Sequence, residues 1–218
     1  MVEVKTFYVN PLRECCYVIY STTGNDCVVV DPGCVSEREF KRVIDFIETN
    51  KLELRAILLT HGHFDHVIGV PFFKDFEVYL NSKDKELYSQ AKGQCDYYGI
   101  EVECDYSKGN LENELKELAE VDTLSFGELN CKVLHTPGHS RGSVCFYFKE
   151  DEILISGDTL FQGSVGRTDL QGGNYESLMC SLEKSIVTLP KSVKVYPGHG
   201  YPTTIGTELL INPFLKEL

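Results

Sequence analysis

Thr60-His61-Gly62-His63-Phe64-Asp65-His66 is the stretch on which the reading of this chain turns. It sets three imidazoles and a carboxylate close together in a chain that has only 6 histidines. Imidazole is the commonest side-chain ligand for borderline divalent metals, and aspartate adds a hard oxygen. The apolar segment Arg55-Ala56-Ile57-Leu58-Leu59 precedes the run and reads as a buried strand. The ligand-type residues therefore fall at the C-terminal end of a strand, where the chain turns and side chains converge. Beyond them, Val67-Ile68-Gly69-Val70 reads as the start of a helix, with Asp65 near its N-terminus.

The same pattern recurs downstream. The strand-like Leu129-Asn130-Cys131-Lys132-Val133-Leu134 leads through Thr136-Pro137-Gly138 to His139. Ile153-Leu154-Ile155-Ser156-Gly157 leads to Asp158, and Val193-Lys194-Val195-Tyr196-Pro197-Gly198 leads to His199. Four strands thus end in turns that carry a metal-type ligand. Proline and glycine tighten such turns and let backbones approach closely. Loops carried on a rigid scaffold are where binding and catalytic groups concentrate. His135 is the exception: it falls at a strand end and reads as a core or supporting histidine.

The rest of the chain alternates strands and helices. Met1–Val9, Cys15–Tyr20 and Cys27–Val30 read as strands, and Asp31-Pro32-Gly33 ends the third with a carboxylate. Asp31 suits either turn chemistry or support of a metal ligand. Ser36 and Glu39 form a capping box for a helix with Phe40, Val43, Ile44 and Ile47 on one side. Residues 83–92 and Asn174–Leu189 read as further helices. The polar, tyrosine-rich stretch Gly93–Gly109 reads as an excursion near the site.

Length and charge narrow the function. At 218 residues the chain reads as one domain over 1–218. A net charge of −12 disfavours nucleic acid, whose phosphates call for clustered lysine and arginine. No apolar run approaches the length of a membrane span, and the N-terminus lacks a signal peptide's basic start and apolar core. The 9 cysteines are scattered among apolar residues with no Cys-x-x-Cys, which favours buried thiols in a reducing cytoplasm.

On the His-x-His-x-Asp-His run at 61–66, His139 in Thr-Pro-Gly-His-Ser, Asp158 in Ser-Gly-Asp-Thr-Leu-Phe and His199 in Pro-Gly-His-Gly, the chain resembles the metallo-β-lactamase superfamily. Within it, the short glyoxalase II-like hydrolases match best. The resemblance implies an α/β fold, a four-layered αββα sandwich. It also implies a binuclear centre in which His61, His63 and His139 hold one metal, Asp65, His66 and His199 hold the second, and Asp158 bridges them. Several β-lactamases place cysteine where Asp158 stands, and flavodiiron proteins place glutamate where His63 stands; both branches are disfavoured. The RNA-processing members carry long insertions and extra histidine motifs that this chain lacks.

Chemistry follows from the donor set. Two divalent ions sharing one oxygen bring water's pKa toward neutrality, so a bridging hydroxide attacks an activated carbonyl. Asp65 is placed to aim it. The donors suit zinc first, with iron and manganese also compatible. The resemblance implies a small-molecule acyl thioester of the hydroxyacylglutathione kind; a lactone or other ester is an alternative. A second alternative is a persulfide dioxygenase holding a single iron on His61, His139 and Asp158, a family with a similar Gly-Arg-Thr-Asp segment. Arg167 in that segment is suited to grip a substrate carboxylate, or else it pairs with Asp169 and shapes the loop. Only 19 residues follow His199 (218 − 199), so the helical extension that helps glyoxalase II proper hold glutathione is expected to be absent or minimal.

Overall fold

The computed structural model describes residues 1–104, 115–118 and 123–218. One sheet runs in the order β1 (Val2–Val9), β2 (Glu14–Ser21), β3 (Asp26–Val30), β4 (Glu53–Leu58), β5 (Val78–Leu80), β6 (Leu115–Glu117). Its first three strands pair antiparallel and the remainder pair parallel. The other large sheet contains β7 (Thr123–Phe126), β8 (Leu129–His135), β9 (Val144–Phe148), β10 (Ile153–Gly157), β13 (Lys194–Pro197) and β14 (Thr203–Thr204). Its order is 14-13-10-9-8-7, with β10 and β13 parallel. A small ribbon of β11 (Leu160–Phe161) and β12 (Ser164–Val165) follows β10.

Side-chain alternation along the strands explains the layering. In β2, Cys15, Tyr17 and Ile19 face the gap between the sheets, where they meet Val133, Phe146 and Ile155. Cys16 and Val18 point the opposite way, into a cluster with Val43 and Ile47 of helix α1 (Glu37–Thr49). In β9, Phe146 and Phe148 face the gap, while Cys145 and Tyr147 face Leu178 of helix α5 (Tyr175–Ser181) and Ile205 of helix α6 (Ile205–Ile211). Strands buried on both faces read as continuous apolar runs, which is why β2, β3 and β9 show so little polar alternation. Three apolar clusters between four layers give the αββα sandwich.

Local differences from the sequence reading have physical causes. Ser36 caps α1 by accepting from Glu39 N, but the Glu39 carboxylate accepts from Val35 N and Asn10 N instead of closing the box. It thereby ties the helix to the β1–β2 turn. The helix expected to start near Val67 begins earlier: α2 (Phe64–Val67) contains Asp65 and His66, and a 3-10 turn over Val70–Phe73 follows. The helix expected over 83–92 is two helices, α3 (Lys85–Ser89) and α4 (Ala91–Tyr97). The start of the supposed Gly93–Gly109 excursion is therefore helical, and residues 105–109 lie outside the described residues. The segment from Asn174 does form a helix, but it widens into a π turn over Leu182–Ile186 and ends short of Leu189.

Among the described residues, no helix is long and apolar enough to cross a membrane. Eight cysteines are buried and Cys180 is exposed. Burial pushes the Cys27 and Cys131 thiols up to about 12, which suppresses thiolate chemistry there.

Candidate metal centre

The ends of β4, β8, β10 and β13 meet at one edge of the sandwich and deliver all seven sequence-picked ligands to one place. Backbone bonds join the two sheets there: Val144 N donates to Thr60 O at 2.8 Å, and Cys15 N donates to Gly198 O at 2.8 Å. Glycine is required at 198, because a Cβ would fall 2.2 Å from Asp158 Oδ1 and 2.6 Å from His66 Cε1.

Two sets of donor atoms converge, each within 4.8 Å: His61, His63 and His139, and Asp65, His66 and His199. Within the first set, His63 Nδ1 lies 2.8 Å from His139 Nε2. Within the second, Asp65 Oδ2 lies 3.2 Å from His199 Nε2 and 3.7 Å from His66 Nε2. Asp158 spans both, with Oδ1 3.5 Å from His66 Nε2 and Oδ2 3.5 Å from His139 Nε2. A third grouping of Asp31, His61 and His66 is geometrically close. Asp31, however, is already committed as an acceptor. It takes Thr60 N at 2.7 Å, Thr60 Oγ1 at 2.6 Å and His66 Nδ1 at 3.0 Å.

These contacts assign the histidine tautomers. His66 Nδ1 donates to Asp31, and His139 Nδ1 donates to the carbonyl oxygen of Arg167 at 2.8 Å. Thr60 Oγ1 spends its proton on Asp31, so it accepts from His61 Nδ1 at 3.0 Å. All three rings then turn Nε2 inward. His61 Nε2, His66 Nε2 and Asp158 Oδ1 are buried with no hydrogen-bond partner. Buried polar atoms in folded proteins are ordinarily paired, and orphans turned toward the two donor sets fit bound cations.

Charge is distributed unevenly between the sets. Burial, then the neighbouring His66 and His139, lowers the His61 pKa well below the usual imidazole range. Burial and His139 bring His63 down to about 4. His66 behaves oppositely: burial opposes its charge, but Asp65, Asp158 and the Asp31 hydrogen bond outweigh it and lift His66 to about 10. Burial also works against the Asp65 carboxylate, yet His66 and His199 hold its pKa well below the usual range. Without a cation, then, the second set keeps a proton on His66 near neutral pH, and a bound cation displaces it. Zinc uptake by metal-free protein near pH 7 is expected to release protons, and affinity is expected to weaken as pH falls. Calorimetry in buffers of different ionisation enthalpy measures this; a heat independent of buffer would contradict the assignment.

Two buried carboxylates escaped the sequence reading. Asp84 accepts from Gly62 N at 2.9 Å, Gly142 N at 2.7 Å and Ser140 Oγ at 2.5 Å. It joins the loop between His61 and His63 to the loop after His139. Glu14 is fully buried, its two oxygens are unpartnered, and Oε1 lies 3.8 Å from His66 Nδ1. Burial, reinforced by Asp31, pushes its pKa well above the usual carboxylate range. Glu14 opens an otherwise apolar strand, the one signal that marked it; Asp84 carried none.

Arg167 lines the cleft over the centre. Its guanidinium holds both oxygens of Asp169 at 2.7 Å, and its backbone oxygen fixes His139. His135 stays outside both donor sets, at the end of β8, with Nε2 3.3 Å from Arg141 O. His135→Ala is expected to keep metal content and turnover within about twofold, a surface-scale effect; loss of metal in that variant would require another ligand set.

Comparison with known proteins bears on the family and the fold. The model of the metallo-beta-lactamase superfamily matches residues 10–199. Hydroxyacylglutathione hydrolase GloC of Haemophilus influenzae is 34% identical over 219 residues, covering 99% of each chain. Among solved structures, the BLEG-1 B3 metallo-beta-lactamase superposes with a TM-score of 0.85 at 35% identity, covering 98% of this chain and 99% of that one. TTHA1623, solved in a di-iron-bound form, gives 0.81 at 38% identity and covers 97% and 100%. With the family model spanning most of its length and its donor atoms gathered where four strands end, this chain belongs to the metallo-beta-lactamase superfamily.

Proposed function

We propose that this protein is a binuclear metal-dependent hydrolase that cleaves an acyl thioester. The observation carrying this reading is the pairing of two donor sets through Asp158, with three inward-facing buried atoms left unpartnered. His61, His63 and His139 would hold one ion, Asp65, His66 and His199 the other, and Asp158 both; zinc is the first choice, with iron and manganese compatible. When bound, such a pair supplies Lewis acidity and a water whose pKa lies near neutrality. Asp65 faces the cleft beside His199 and serves as acceptor for a proton of the attacking water, which aims its lone pair at the carbonyl carbon. Water's oxygen bonds to that carbon and the carbon–sulfur bond breaks. One proton leaves with the thiol, and the acid retains the oxygen. No serine or cysteine nucleophile is needed.

The 34% identity to a named hydroxyacylglutathione hydrolase supports the thioester over other esters. The decisive experiment pairs elemental analysis with two assays, thiol release from a thioester and oxygen uptake with a persulfide. Two metals per chain with thiol release supports the proposal. One tightly held iron with oxygen uptake would replace it by a persulfide dioxygenase, and ester or lactone cleavage without thiol release would replace the substrate class.

A further inference from the structure

We propose that the thioester is a neutral one carrying an aromatic or extended apolar group, which stacks on a tyrosine shelf at the mouth of the cleft; this rests on the thioesterase reading above. The cleft over the centre has a volume of about 1230 Å³, far more than the reacting carbonyl needs. One wall is built from α3 and α4. Where α2 meets the end of α4, Phe64 and Tyr98 stack at 5.6 Å with their planes 24° apart, and Tyr97 packs edge-on against Tyr98 at 5.1 Å. Tyr97 is 84% exposed and Tyr98 61%, an unfavourable arrangement for two large rings unless something covers them. Leu12 and Leu170, also exposed, open onto the same cleft. Exposed apolar surface is thus gathered where a ligand would lie.

Charge points the same way. Among the described residues lining the cleft, Arg167 is the one lysine or arginine, and its guanidinium is occupied on two nitrogens by Asp169. A glutathione moiety, with two carboxylates, would find little to neutralise it. Gly93 adds an independent observation. It sits inside α4 and lines the cleft, and a Cβ built there meets nothing within 4 Å. Glycine inside a helix weakens it, and no neighbour in the described structure requires one here. The space it leaves belongs to the cleft.

The test compares kcat/KM of the metal-loaded enzyme on three probes. Phenylacetyl-N-acetylcysteamine has an aromatic acyl side, S-benzyl thioacetate an aromatic thiol side, and a hydroxyacylglutathione is the anionic control. At least one aromatic probe is expected to exceed the control by about tenfold or more, and which one identifies the side that stacks. The Tyr97→Ala, Tyr98→Ala double variant should erase that preference mainly through KM. Gly93→Leu should lower the aromatic-to-glutathione ratio by about tenfold while melting no earlier than wild type, leucine being the better helix former. Thiol release without aromatic preference, or a preference untouched by the tyrosine substitutions, would overturn this inference and leave the thioesterase standing. Absence of thiol release from all three probes would overturn both.

Discussion

Asp158→Ala is expected to lose most of the bound metal and to cut turnover by at least about a hundredfold to a thousandfold. Its two oxygens serve different donor sets, Oδ1 toward His66 and Oδ2 toward His139, so one truncation damages both. The loss also removes part of the negative charge that lifts His66, leaving a buried imidazole with less to stabilise a cation of any kind. His61→Ala should follow it, since His61 Nε2 is an unpartnered buried atom aimed at the first set. Elemental analysis beside the thiol-release assay reads both variants. Wild-type stoichiometry in either would show that the donor sets are assigned wrongly.

Asp31→Ala is expected to be the most destabilising substitution at the site without touching a candidate ligand atom. Thr60 N, Thr60 Oγ1 and His66 Nδ1 would all lose their acceptor in a region closed to water. Each orphaned buried donor costs roughly 1–3 kcal/mol, so the total should reach about 3 kcal/mol or more. Asp31 also has φ +50°, a left-handed backbone that alanine adopts less readily than aspartate or asparagine. Metal affinity should fall by about 10–100-fold as His61 and His66 lose their fixed tautomers. Asp31→Asn separates the causes: it keeps the left-handed backbone and one acceptor oxygen but not the charge facing His66. Urea unfolding of the metal-free protein and a competition assay for zinc read the two effects. A midpoint change worth less than about 0.5 kcal/mol for Asp31→Ala would reduce Asp31 to a turn residue.

The candidate ligands were legible in the sequence for a local reason. Each lies in a turn directly after an apolar strand or, for Asp65 and His66, in the short helix that follows such a turn, and strand, turn and ligand type can all be read along the chain at 55–66, 129–139, 153–158 and 193–199. The sandwich was legible because two-faced burial leaves unbroken apolar runs in β2, β3 and β9. Helix limits were less so. Nothing in residues 83–97 announces the break at Gln90, and the run after Asn174 does not show its π turn, because both depend on how the helices settle on the sheets.

Residue chemistry and short-range order along the chain were enough to name metal-type ligands and a layered fold, because strand periodicity and turn composition are properties of neighbours in sequence. The direction in which each imidazole offers its lone pair was not, since it depends on Asp31, Thr60 and the Arg167 carbonyl arriving from separate strands. Asp84 and Glu14 gain their roles only through burial between elements far apart in the chain. Arg167 makes the point for side chains in general: its sequence left a carboxylate clamp and a pair with Asp169 equally open, and packing engaged that guanidinium with Asp169 and put its backbone oxygen on His139. Hydrogen-bond partners are settled by three-dimensional proximity, which short-range pattern does not encode.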